Sequence, residues 1–431
     1  MLTYLTQFDP DLAAIISHEE RRQEEGMELI ASENYVSHAV LEAMGTVLNN
    51  KYSEGYPGKR YYAGNEYVDD MERLCIERAK ALFHCEHVNV QPLSGSPANA
   101  AVYFGLLKPG DKVLGLALDH GGHLSHGHPV NFSGMLYRFT QYQVDQTTGR
   151  INMDQVREIA LRERPKMILA GFSAYSRNLD WKAFKSIADE IGAFTFADIA
   201  HIAGLIAGKQ LDSPVPWFDV VSTTTHKTLR GPRGALIMCK EQFAKQIDQA
   251  LFPGLQGGPH DHINAAKAVA FKEALSPSFQ SYAANVIENA KILSTELLRL
   301  GFTIISGGTD NHLMVVDTTS KNVPGLLAER ALDAAGISCS RSTIPFDPRK
   351  PFDPSGIRLG TAAVTTRGMT VTDMKKLAAW INQIIEHTAS VPSFTSLKGA
   401  ELLTALAQEP EIVKVRKETR AFCLTFPLFH A

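Results

Sequence analysis

The chain has 431 residues, 44% hydrophobic and 21% charged, with a formal net charge of −3. That balance is ordinary for a soluble globular protein and argues against a nucleic-acid or anionic-membrane partner. No apolar run approaches the ~20 residues of a membrane span, and the start, MLTYLTQFDPDLAAI, lacks the basic and apolar blocks of a secretion signal. A cytoplasmic protein is expected. The first fifty residues read as a helical arm, with the mixed charges of HEERRQEEGMELI on a solvated face. NNKYSEGYPGKRYYAGNEYVDD follows, with Tyr52, Tyr56, Tyr61, Tyr62 and Tyr67 in a segment too polar for core. It reads as an aromatic-lined binding surface with Glu54 available for proton transfer, as a subunit contact, or as both.

From about residue 80 to 275, short apolar strands alternate with amphipathic helices. PKMILAGFSA is a predicted strand, and DWKAFKSIADEIG a helix capped by Asp180 and stopped at Gly192. AFTFAD is the next strand. This alternation predicts a mostly parallel sheet flanked by helices, an α/β fold with its ligand at the C-terminal ends of the strands. Near 275, SPSF is expected to break the chain before a long helix, QSYAANVIENAKILSTELLRLG, ending at Gly301. Shorter strands (FTIIS, HLMVVD, GIRLGTAAV) then predict a smaller C-terminal α+β domain. Its loop STIPFDPRKPFDPSG is held irregular by four prolines. The five cysteines are scattered without a CxxC, as buried thiols would be.

In PLSGSPANAAVYFGLL, Ser96 is expected to cap a helix starting at Pro97, so that Ser94, Gly95 and Ser96 face a helix N-terminus. Such an end binds phosphate, and equally is an ordinary cap. TTTHK places Lys227 just past a β-prone run, either as a charged turn or as a partly desolvated amine for covalent chemistry. Asp198 ends AFTFAD, so the two are expected to share one crevice. A phosphate cup, a strand-end carboxylate and a desolvated lysine together are what pyridoxal phosphate requires. A buried Asp198 needs a cationic partner, which the pyridinium would supply, and His226 and the three threonines before it would add polar contacts. LDHGGHLSHGHPV holds four histidines, His120 to His128, with Asp119 the one acidic residue beside them and no cysteine to complete a metal site. It reads as an imidazole stacked on the cofactor ring or as a flexible surface loop, and no metal is expected. Arg358 suits capture of a carboxylate, and equally a salt bridge.

These segments, with LIASENY, ADIAHIAGL, TTTHKTLRGPRG, FPGLQGGP, SGGTDNHL and SGIRLGTAA, resemble serine hydroxymethyltransferases from about residue 20 to the terminal FPLFHA. The resemblance implies a fold-type-I pyridoxal-phosphate enzyme. Its expected layout is an N-terminal helical arm (1–50), a large cofactor-binding domain (51–275) and a small C-terminal domain (276–431). It further implies that the enzyme moves the hydroxymethyl carbon of L-serine to tetrahydrofolate. Lys227 would anchor the cofactor and Asp198 would pair with its ring nitrogen. His123 would stack on the ring, while Ser173 and His201 would face its phenolic oxygen. Ser94, Gly95, Ser96 and His226 would hold the phosphate, joined by Tyr52 and Gly258 of a neighbouring subunit in a homo-oligomer. Arg358 and Ser32 would bind the amino acid, and Glu54 and Tyr62 of the neighbour would serve proton transfer. Leu118, Gly122 and Leu124 would touch the folate.

Ser342 and Phe346 stand where asparagine is frequent in the family, and Asp119 where a small residue is. These departures bear on folate affinity. A folate-independent aldolase acting on threonine-like β-hydroxy amino acids is the alternative enzyme. A catalytically silent scaffold is the alternative from outside catalysis, and the presence of both Lys227 and Asp198 weighs against it.

Overall fold

A computed structural model describes residues 3–428. Seven strands form the main sheet: β1 (His87–Asn89), β2 (Lys112–Leu116), β3 (Arg138–Tyr142), β4 (Met167–Gly171), β5 (Phe194–Asp198), β6 (Val220–Thr224) and β7 (Ala235–Cys239). Their order is β1-β7-β6-β5-β4-β2-β3. β7 runs antiparallel to both neighbours, and every other pairing is parallel. The apolar runs are continuous because both faces are covered. Met167 and Leu169 of β4 pack into one core with Tyr103 and Phe196, while Ile168 and Ala170 pack into the other with Phe184 and Phe271. Truncating one such residue, Leu169→Ala, would cost about 2–5 kcal/mol.

The helices that matter for the site are α1 (Pro10–Glu25), α2 (Glu66–Phe83), α3 (Gly95–Leu106), α4 (Trp181–Ile191), α5 (Asp261–Ala274), α6 (Pro277–Arg299), α7 (Val371–Ser390) and α8 (Pro410–Cys423). α4 begins and ends as the sequence suggests. The Asp180 carboxylate accepts from the Ala183 N–H at 3.0 Å, and Gly192 closes the helix at φ 70°. The break at SPSF is short, only Leu275 and Ser276 between α5 and α6, so the long helix starts three residues earlier than expected. Ser276 caps α6 and Pro277 occupies its first turn, where a missing N–H is harmless.

A second sheet comprises β8 (Thr303–Ile304), β9 (Leu313–Asp317), β10 (Ser340–Ser342) and β11 (Gly356–Gly360), antiparallel throughout in the order β8-β9-β11-β10. FTIIS yields only two strand residues because the chain turns at Ser306, φ 63°. α6 runs through both cores. Phe279, Tyr282 and Val286 pack with the main sheet, and Ala290, Leu293 and Leu297 with the second. Position 275/276 therefore falls at the start of a shared helix.

The first fifty residues likewise divide between the cores. Met27–Glu28 pairs in parallel with Ile337–Ser338, and the Arg420 guanidinium of α8 pairs with Glu25 of α1 at 2.8 Å. Val40, on the short helix His38–Met44, packs against Ala266 and Ala270 of α5. No helix among the described residues is long and apolar enough to cross a membrane, and all five cysteines are buried and free.

Candidate active site

The loops that follow β1, β2, β4, β5 and β6 converge with β11 and residues 32–33 on a cavity of about 430 Å³. Lys227, Asp198, His123, Ser173, His201, His226, Arg358, Ser32 and the Ser94–Ser96 turn all line it. This is the C-terminal edge of a parallel sheet, where strand-end side chains and loop N–H groups point the same way.

The loop carrying Lys227 is tightly held. The Thr225 N–H donates to the Gly234 carbonyl at 3.0 Å, the Thr228 hydroxyl to the His201 carbonyl at 2.8 Å, and the Asn34 amide to the Lys227 carbonyl at 2.9 Å. The Lys227 side chain is open to the cavity and otherwise enclosed by protein. Burial pulls its ammonium down to about 8, against the attraction of Asp198 and with help from Arg358 and Arg233. A neutral, nucleophilic amine is thus accessible near neutral pH.

Asp198 ends β5 and already has partners. Burial raises its carboxyl, but hydrogen bonds from His126 and Asn99 outweigh that and hold it well below the usual range. The His126 Nε2 lies 3.1 Å and the Asn99 amide 2.8 Å from Oδ2, while Oδ1 accepts the Ala200 N–H at 3.0 Å. His126 and Asn99 thus hydrogen-bond this carboxylate in addition to the cofactor cation expected to pair with it. Neither had been singled out. The signal lay in the His123-to-His126 spacing, with both rings at one turn, 5.6 Å apart.

The phosphate-binding candidate also differs in detail. α3 begins at Gly95, two residues before Pro97, and Ser94 rather than Ser96 is the flanking residue, without a side-chain capping bond. The Gly95 and Ser96 N–H groups therefore belong to the unpaired first turn. A Cβ at Gly95 would sit 2.8 Å from Thr224 Cγ2, so glycine lets the helix end approach β6. Of the three threonines only Thr224 reaches the cavity. Thr223 and Thr225 donate to the carbonyls of Thr224 and Pro232. His226 lines the cavity with a buried Nδ1 that has no partner, and burial with Arg233 beside it lowers its imidazole to about 3. Arg233, unremarked in the sequence, lines the same end.

The histidine segment is an ordered turn and not a flexible surface loop. His120 and His126 are buried, His123 Nδ1 lies 2.7 Å from the Ser125 hydroxyl, and His120 packs edge-on against Phe346. Burial lowers His123 to about 4, leaving a neutral ring in the cavity. His201 is likewise kept neutral by burial, and its Nδ1 lies 3.3 Å from His312 Nε2. Arg358 projects from β11, donates from one terminal nitrogen to the Ser173 carbonyl at 2.7 Å, and leaves its buried Nε without a partner. Burial alone lowers it to about 10.

Tyr52, Glu54, Tyr62 and Gly258 are not brought to this cavity. They form their own cluster, with Tyr52 and Tyr62 exposed and edge to face at 5.5 Å, Tyr52 close against Gly258, and Glu54 and Gly258 half-buried. A second cavity of about 480 Å³ adjoins the first through Ser173 and Arg358. Leu118, Gly122, Asp119 and Ser342 line it, whereas Leu124 and Phe346 do not. The Ser342 hydroxyl is turned to the Thr343 carbonyl at 3.0 Å.

The family model described as serine hydroxymethyltransferase matches residues 5–381. A serine hydroxymethyltransferase of Acidothermus cellulolyticus is 56% identical over 421 residues, which cover 98% of this chain and 97% of that protein. The chain belongs to the serine hydroxymethyltransferase family. The polar groups of the first cavity fit the pyridoxal phosphate of the family. The unpartnered His226 Nδ1 and the open first turn of α3 suit an anion, and the Asp198 carboxylate and Lys227 amine suit the two reactive ends of the ring.

Proposed function

We propose that this chain transfers the hydroxymethyl carbon of L-serine reversibly to tetrahydrofolate, giving glycine and 5,10-methylenetetrahydrofolate, with pyridoxal 5'-phosphate anchored on Lys227. The observation that carries this reading is the pair of adjoining cavities: one holds the amine, the carboxylate and the anion cup, and the other has room for a second substrate. When bound, the cofactor supplies an electron sink for charge developing at the amino-acid Cα.

The residues would divide the work as follows. Lys227 would hold the cofactor through its aldehyde, its amine kept partly neutral by burial. Asp198, oriented by His126 and Asn99, keeps a negative charge at the ring nitrogen. Ser94, Gly95, Ser96, His226 and Arg233 hold the phosphate. His123, neutral through burial, would stack on the ring without competing for the carboxylates, and Ser173 and His201 would serve its phenolic oxygen. Arg358 and Ser32 fix the substrate carboxylate, for which the idle Nε of Arg358 is a ready donor. Leu118 and Gly122 contact the folate, and Asp119 and Ser342 change the polarity of that wall.

Tyr52, Glu54, Tyr62 and Gly258 serve the cavity of a neighbouring copy in a homo-oligomer, which agrees with their lying outside the cavity of their own Lys227. Mixing subunits tests this. Lys227→Ala and Glu54→Gln are expected to be inactive alone and to recover activity when co-expressed, since the mixed assembly contains one complete site. No recovery in verified mixed oligomers would place Glu54 in its own subunit's chemistry. Arg358→Leu is expected to raise KM for serine about 10²-fold, the worth of a charged, desolvated hydrogen bond, while KM for the folate moves far less.

The activity itself is tested by visible absorption of the purified protein alone, with glycine, and with glycine plus tetrahydrofolate. A cofactor band lost on borohydride reduction, and a long-wavelength band that rises only when both ligands are present, are expected. A cofactor band indifferent to folate would favour the folate-independent aldolase.

A further inference from the structure

Lys267 lines neither cavity and has no part in the chemistry above, yet it is a fully buried cation, 1% exposed on α5. Its ammonium donates to the Val90 carbonyl at 2.6 Å, the Pro92 carbonyl at 3.2 Å and the Asn264 side-chain oxygen at 3.1 Å. All three acceptors are neutral, and together they fill the three donor positions of an ammonium. The nearby carboxylate, Glu72, is committed to Arg60 and Gln91. A charge in such a place is tolerable only if its oxygens are held rigidly around it, as around a bound metal cation.

What it holds is the approach to the anion cup. Residues 90–92 connect β1 to Ser94–Ser96, and Gln256 pins the same stretch from its other side, donating to the Gln91 carbonyl and accepting the Leu93 N–H, each at 3.2 Å. The lysine stem also touches the loop of the reactive amine. A Cβ at Gly234 would fall 2.4 Å from Lys267 Cε, and the Gly234 carbonyl accepts the Thr225 N–H two residues before Lys227. Lys267 is thus wedged between the two loops that would grip the cofactor.

We propose that Lys267 is a tethered cation that positions the phosphate end of the cofactor site, its ammonium fixing the Val90 and Pro92 carbonyls and through them the start of α3. It is a positioning residue, and the proposal rests on reading Ser94–Ser96 as the phosphate cup. The test uses the full chain stripped of cofactor and titrated with pyridoxal phosphate and with pyridoxal, which lacks the phosphate. Lys267→Met, which keeps the bulk and removes the charge, should weaken pyridoxal phosphate at least about tenfold and leave pyridoxal unchanged. Lys267→Ala opens the carbonyl cage, and added ammonium or potassium ions should restore its affinity while leaving the wild type unaffected.

Equal binding of pyridoxal phosphate by Lys267→Met and wild type would overturn the proposal. So would parallel losses for both aldehydes, which mean general loosening, or failure of ammonium and potassium to rescue Lys267→Ala. Should the methionine variant not fold, Asn264→Ala removes one acceptor and keeps the ammonium. A severalfold loss confined to the phosphorylated aldehyde then supports the idea, and an unchanged affinity sinks it. Wild-type protein that binds no pyridoxal phosphate would remove the underlying reading of the site as well.

Discussion

Lys227→Ala is expected to abolish borohydride-stable attachment of pyridoxal phosphate and to lower kcat by at least about 10³-fold, because among the described residues no other lysine lines the cavity to replace the nucleophile. Mass spectrometry after reduction checks the first, and steady-state kinetics the second. Retained attachment would mean that another lysine is the anchor. The same residue gives a pH signature in the cofactor-free protein. Its folded value of about 8 lies below the ordinary lysine value of 10.5, so the enclosed ammonium is a cost that is complete below pH 8 and relieved as pH rises through 10.5. Lys227→Met should therefore stabilise the cofactor-free chain at pH 7, by on the order of 3 kcal/mol, with the advantage fading above pH 8. Urea titrations across that range, with no difference between the variants, would show the amine to be well solvated.

Asp198→Asn should keep the cofactor bound while lowering kcat about 10²–10³-fold, the range found when one preorganised electrostatic group is removed. The arrangement around it says why the change is not conservative. His126 and Asn99 both aim at Oδ2 and the Ala200 N–H at Oδ1. An amide offers a single oxygen, so at least one donor is left facing an NH2 group, a loss of about 1–3 kcal/mol. Because the folded carboxyl lies below its unfolded value, its contribution to stability is present above about pH 4 and disappears as pH falls through the folded value. Wild type and variant should thus differ in denaturant midpoint at pH 7 and converge in strong acid. A variant with full turnover would remove Asp198 from the ring nitrogen.

The parts of the molecule legible in its sequence are those where one physical signal acts alone. The buried parallel strands announce themselves as unbroken apolar runs, and Asp180 and Gly192 bracket α4 by local hydrogen bonding and backbone freedom. Asp198 and Lys227 were placed near one another because strand ends share an edge. What stayed hidden depends on contacts between distant segments. His126 and Asn99 look like any polar residues until the fold brings them to Asp198, 72 and 99 positions away. Lys267 reads as one charge on an amphipathic helix, and only its three carbonyl neighbours, two of them 177 and 175 positions away, reveal a buried cation. SPSF marks the break between α5 and α6, but serine and proline punctuate loops and open helices with equal ease, so the start of α6 at Pro277 is decided by the core that the helix enters. The motifs quoted from the family located most of the cavity wall, yet they could not say that Leu124 faces elsewhere or that Ser342 spends its hydroxyl on a neighbouring carbonyl.

The strand pair formed by Met27–Glu28 and Ile337–Ser338 bears on how the two halves cooperate. The Gly360 N–H donates to the Leu29 carbonyl, and His312 Nε2 lies 3.1 Å from the Ala31 carbonyl, so residues 27–31 are stitched to the sheet that carries Arg358. Ser32 and Arg358 consequently ride on one frame, whereas Lys227 and Asp198 ride on the other. The hydrogen bonds from Arg358 to the Ser173 carbonyl and from Asn34 to the Lys227 carbonyl tie the two frames together at the cavity. A small tilt between the frames would change the distance from Ser32 and Arg358 to Lys227 only by working against those two bonds.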